Sequence, residues 1–108
     1  MKMIELYRRA VLLTGEGNDG EYLINNDNAD ELFYINQALS ELGLNRIESP
    51  LTECNLSLMQ IDAAVYFIAY LISLKNGDSQ RSEYLCSLFT LKRSAALSAT
   101  SKRKNTLP

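Results

Sequence analysis

Histidine is missing from this chain, and so is tryptophan. Without histidine, the commonest general base and the commonest metal ligand are both gone. Cysteine is scarce. Cys54 and Cys86 stand alone, with no CxxC and no Cys/His spacing, which argues against a zinc site. Cys86 falls among apolar neighbours in a helical pattern and reads as a buried free thiol. A Cys54–Cys86 disulfide stays open on geometry, but the charged opening MKMIELYRR has no apolar run of signal-peptide length to support it. Glycine numbers five and proline two in 108 residues, too few for short strands joined by many turns. That scarcity favours helices. Long apolar runs are also few. The longest, Leu58 to Leu74, contains Gln60, Asp62 and Ser73, whereas a membrane span wants about 20 residues and no acid. It reads as a buried core helix, and the expected compartment is cytoplasm.

Helical spacing is what fills the chain. Met3, Ile4, Tyr7, Val11 and Leu12 recur at helical intervals, widened by Leu6, Ala10 and Leu13, and Gly15 follows as a stop. Gly15 to Asn28 is rich in Gly, Asn and Asp and reads as a loop, with Tyr22-Leu23-Ile24 tucking it onto the core. Asn28 and Glu31 have the form of a capping box, and Leu32, Ile35, Leu39 and Leu42 then mark one face before Gly43. Leu44 to Leu56 is a connection in which Ile47 and Leu51 pack down, with Pro50 holding Ser49 out of helical geometry. Ser57 and Gln60 cap a third helix that is apolar nearly all round, as a central helix is. Asn76-Gly77 ends it. A fourth helix starts at Asp78 or Ser79, with Leu85, Leu88, Phe89 and Ala96 inward and Tyr84 and Leu91 at its margins. Beyond about Thr100 the chain reads SKRKNTLP, without apolar periodicity. The expected architecture is all-α and four-helix bundle-like: a helical domain over 1–98 with a central apolar third helix, and a flexible, extended basic tail over 99–108.

The formal net charge of −2 hides an asymmetry. Residues 1–54 carry four basic and ten acidic side chains, a balance of −6, and residues 55–108 carry seven and three, a balance of +4. A polarised monomer can pair head to tail with its own copies, which is how rings and filaments are made; the plainer alternative is neutralisation within one fold.

Chemistry-bearing motifs do not survive inspection. Gly15-x-Gly17-x-x-Gly20 matches the dinucleotide fingerprint in form, but that fingerprint needs a strand before it and a helix directly after. Read as a calcium loop, the same stretch puts glycine at a ligand position and has no closing Glu. Asp62, near the start of the third helix, is explained by pairing with a Lys or Arg. No enzyme, metal or cofactor is expected. The functional candidate is the end of the chain, Lys102, Arg103, Lys104, Leu107 and Pro108. Three cations with an apolar tip suit docking into a protein groove better than gripping DNA, since a nucleic-acid domain is normally basic overall.

The order of these segments carries a resemblance. A helix and a Gly/Asp loop are followed by ELFYINQALSELGL (Glu31–Leu44), a linker, AAVYFIAYLISLKNGD (Ala63–Asp78), and SLFTLKRSAALSATSKRKNTLP (Ser87–Pro108). This resembles the small head–tail connector (adaptor, head-completion) proteins of tailed phages and prophages. The resemblance rests on helix order, the NGD hinge and the Lys-Arg helix end. It implies a structural protein that forms a homo-oligomeric ring under the portal protein in the assembled virion, is compatible with a monomer in free solution, and docks on the portal through a C-terminal segment, here about Ser98 to Pro108. The ring would receive the next neck or tail component and let DNA pass without reading its sequence. Assembly would take place in the bacterial cytoplasm and end at the virion neck, with no membrane involved. The alternatives are a small helical nucleic-acid-binding regulator and a host-directed protein-interaction module.

Overall fold

The computed structural model describes residues 1–14 and 28–105. They form four helices: α1 (Ile4–Leu13), α2 (Asn28–Glu41), α3 (Leu58–Lys75) and α4 (Ser79–Asn105). Among the described residues there is no strand beyond one bridge between Lys2 and Glu53. The fold is all-α and bundle-like, as the periodicities predict.

Local chemistry sets the boundaries. At the start of α3 the Gln60 backbone N–H donates to Ser57 Oγ at 3.2 Å, and Gln60 Oε1 accepts from the Ser57 N–H at 3.0 Å. This is the reciprocal capping box read from the sequence. Two glycines with positive φ stop helices, Gly43 at 71° after α2 and Gly77 at 74° after α3. Each sits in the same hydrogen-bond pattern. Leu44 N–H reaches the Leu39 carbonyl and Gly43 N–H the Ser40 carbonyl; Asp78 N–H reaches the Ser73 carbonyl and Gly77 N–H the Leu74 carbonyl. These are Schellman closures, which need a residue at ease in left-handed geometry. Asp78 then starts α4 by accepting from the Arg81 N–H through its side chain at 3.1 Å. A single short turn thus ends one helix and caps the next.

α3 is the helix on which α1, α2 and α4 all pack. Ala63, Ala64, Ile68, Ala69 and Ile72 are fully buried along it. Its length and composition would also suffice to cross a membrane. α1 contributes Leu6, Ala10 and Val11 to the same core, and α2 contributes Ile35, Ala38 and Leu39. Tyr7 and Tyr34 stack between α1 and α2, and Phe67 meets Phe89 between α3 and α4 with ring centres 4.8 Å apart. The inward seam of α4 is Ser82, Leu85, Phe89 and Ala96, with Leu88 only half-buried.

The connection from Leu44 to Ser57 is held from both sides. Asn36 behaves like a strand edge, since its side-chain amide donates to the Ile47 carbonyl at 3.0 Å and its oxygen accepts from the Ile47 N–H at 2.8 Å. The chain before α1 pairs with the far end of the connection, with Met3 N–H on the Thr52 carbonyl and Cys54 N–H on the Met1 carbonyl.

Several expectations need correction. Leu51 does not pack down; it is exposed, because the backbone pairing of residues 50–54 turns its side chain outward. Leu12 and Leu13 lie outside the core, since no helix among the described residues covers their side of α1. Cys54 and Cys86 are free, and both are half-buried rather than buried. The chain does not leave helical geometry at about Thr100. α4 continues to Asn105, so Lys102, Arg103 and Lys104 lie on helical backbone. The physical reason is the lack of any breaker: SAALSATSKRKN has no Gly or Pro and is rich in Ala, Lys and Arg, which favour helix. The loop expected over Gly15–Asn28, up to residue 27, and the docking residues Leu107 and Pro108 lie outside the described residues.

Candidate functional site

Two features of the described structure could meet a partner: the far end of α4, and a groove on the bundle wall.

The reach of α4 follows from its register on α3. Lys92 Nζ donates to Asp62 at 2.7 Å and fixes the two helices side by side at that level. α3 begins at Leu58, four residues before Asp62, so α3 ends opposite about Ala96. The remaining stretch, Leu97–Asn105, overhangs the start of α3. At 1.5 Å per residue this is an arm of about 13 Å. It carries Lys102, Arg103 and Lys104. The structure therefore places these three together on the overhanging backbone of α4.

Three contacts hold α4 in place behind that arm. Arg81 donates to the Thr14 carbonyl, at the C-terminal end of α1. Arg93 Nε donates to the Glu41 carbonyl, the last residue of α2, at 2.8 Å. Neither α1 nor α2 has a basic residue in its own last turn. α4 supplies both cations from a distance, where the carbonyl ends of the helices favour positive charge. The third contact is Lys92, which also lies over the Tyr66 ring, 4.7 Å from its centre. The hydrogen bond it donates to Asp62 holds the Lys92 ammonium above its ordinary pKa, against the desolvation that opposes it. Asp62 is thus a partner for lysine, as its isolation in the sequence suggested. No group of three or more metal-ligating side chains occurs among the described residues.

The groove was not anticipated from the sequence. It has a volume of about 680 Å³ and lies between the C-terminal half of α1 and the N-terminal half of α3. Leu12 and Leu13 form one wall, and Leu58, Met59 and Tyr66 the other, with Arg9 and Asp62 at its edges. A second hollow of about 500 Å³ shares Leu13 and Tyr66 and runs on to Tyr84 of α4. Leu12 is 63% exposed, Leu58 85% and Leu91 69%. Leu88 and Leu91 follow Tyr84 at helical spacing, so one apolar face continues from α1 across α3 onto α4. Arg9 has no carboxylate partner among the described residues, while Lys92 and Arg81 are paired with Asp62 and Asp78. The only sequence signal for this face was the excess width of the apolar stripe on α1.

Comparison with protein-family models, with curated proteins and with solved structures finds no match to this chain.

Proposed function

We propose that this chain is a structural neck protein of the tailed-phage connector type, acting as one subunit of a ring beneath a portal and docking on that portal through the end of α4. The role is one of assembly rather than catalysis. The observation that carries the reading is the overhang of α4. A helix clamped to the bundle by Arg81, Lys92 and Arg93 continues past α3, with Lys102, Arg103 and Lys104 on its last turns. The charge of such an arm suits an acidic groove on a partner. The chain as a whole is acidic, which favours a protein partner over sequence reading of DNA.

The test is deletion of Thr100–Pro108. The truncated chain should keep its melting temperature and lose only the helical circular dichroism of the deleted end of α4, and it should no longer enter capsids when it complements a connector-null phage. Undiminished incorporation would overturn the docking role. A low-salt gel shift separates the alternative: a complex with duplex DNA whose affinity falls steeply with added salt would favour the nucleic-acid-binding regulator.

A further inference from the structure

We infer that the groove between α1 and α3 receives the exposed face of α2 from a second copy of this chain, so that subunits join head to tail. The inference rests on the ring reading above and names the two surfaces that would build the ring.

Among the described residues the groove is an unfilled helix-packing site. Six exposed apolar side chains, Leu12, Leu13, Leu58, Met59, Tyr84 and Leu91, line or continue it. Together they expose on the order of 700 Å² of surface, close to the ~800 Å² per partner of a standard interface and above what a monomer usually leaves bare. A groove with helical walls on both sides fits a helix.

α2 offers the matching ridge. Phe33 is 56% exposed although it lies on a helix otherwise well packed. Gln37 and Glu41 follow it at four-residue intervals on the same exposed face. An aromatic anchor with polar neighbours is the usual content of an interface centre. None of the groove's lining residues is on α2, so the two patches are different surfaces of one molecule. Such a contact is heterologous: it repeats from copy to copy, and a suitable rotation closes it into a ring.

Charge offers one complementary pair, at the end of the ridge away from Arg46, which lies beside Phe33 and Gln37. The groove edge holds Arg9, a cation with no carboxylate partner among the described residues. The ridge ends in Glu41, whose carboxylate likewise has none; its carbonyl is already taken by Arg93. The distance from Phe33 to Glu41 along α2 is about 12 Å, a span that sets Phe33 in the apolar floor and Glu41 at the rim beside Arg9. The groove's other charged residue, Asp62, is already taken by Lys92, which leaves Arg9 as the charge available to a partner.

The experiment uses two surface variants of the full chain, Leu58→Asp in the groove and Phe33→Asp on the ridge. Both positions are exposed, and an acid in the first turn of α3 suits the helix dipole, so each variant should melt like the wild type. In analytical ultracentrifugation up to millimolar protein, the wild type should grow beyond dimers with concentration. Each variant alone should associate at least tenfold more weakly. An equimolar mixture should stop at a dimer, because one intact groove meets one intact ridge and both free ends are blocked. Arg9→Glu should weaken association, and Glu41→Arg added in the partner copy should restore it. A wild type that stays monomeric at millimolar concentration overturns the inference, as does a mixture that forms no dimer. If Leu58→Asp instead destabilises the fold as a core substitution would, the groove is filled by the chain's own residues and the inference fails. Association through these surfaces without entry into capsids would sink the connector reading and leave the contact standing.

Discussion

α3 and α4 lie side by side for most of the length of α3, yet they are held by different forces. α3 is apolar nearly all round and is covered by three neighbours. α4 is buried along a single seam and leaves Tyr84 and Leu91 in solvent. What fixes its position elsewhere is polar: Arg81 on the end of α1, Lys92 on Asp62, Arg93 on the end of α2. Burial is non-directional and scales with area, so it holds α3 strongly without choosing a register. Charged hydrogen bonds are weaker in total but specific in geometry. A helix that must project a defined length of chain beyond the bundle gains more from the second kind.

The sharpest test of this contrast is Ile68→Ala. Ile68 is fully buried on α3, and emptying the site should cost about 2–5 kcal/mol of unfolding free energy in a denaturant titration. A loss below about 1 kcal/mol would mean that α3 is not the packed centre. Next comes a change of opposite sign. Ser73 is buried on α3, and its Oγ has no hydrogen-bond partner among the described residues. Ser73→Ala removes a desolvated hydroxyl and should raise stability by about 1 kcal/mol, seen as a higher melting temperature.

On α4 the expected effects are smaller. Arg93→Gln withdraws the cation from the Glu41 carbonyl and should cost about 0.3–1 kcal/mol, with faster amide exchange confined to the last turn of α2. If the loss matched that of Ile68→Ala, the contrast between the helices would collapse. The smallest effect concerns Lys92. Its pKa is raised in the folded state by the hydrogen bond it donates to Asp62. A raised folded pKa contributes stability that is complete below the ordinary lysine value and is lost as pH rises through the folded one. Stability should therefore decline above about pH 10.5 in the wild type. Asp62→Asn should flatten that decline while costing about 0.2–1 kcal/mol at neutral pH. An unchanged alkaline profile would show that the pair contributes nothing.

The sequence was most readable where structure is local. Ser57 with Gln60, Gly43, Gly77 and the start of α4 could all be placed because the groups involved lie within a few residues of one another. Burial was less readable. Leu12 and Leu13 continue the apolar stripe of α1, and only the tertiary arrangement decides that no helix among the described residues covers them. Arg81 and Arg93 could not be assigned at all, because the carbonyls they meet are 67 and 52 residues away in the chain. Asn36 acting as a strand edge for Ile47 has no sequence signature either. The groove has walls from α1 and α3 and runs on to α4, and no single periodicity contains it. The basic end was found by composition, but its helical backbone was missed because the absence of apolar periodicity was read as absence of helix.

The turn at Asn76-Gly77-Asp78 has a kinetic consequence. Two helices joined by so short a connection meet at almost no loop-closure cost, so the α3–α4 hairpin is the cheapest tertiary contact for the unfolded chain to make. Docking of α1 comes at greater expense, since its lead-in must find residues 50–54 across the intervening sequence. The hairpin should therefore be the folding nucleus, with Phe67 and Phe89 formed early and the pairing of Met3 with Thr52 formed late. During folding, the arm on α4 would be borne by the part of the molecule that assembles first.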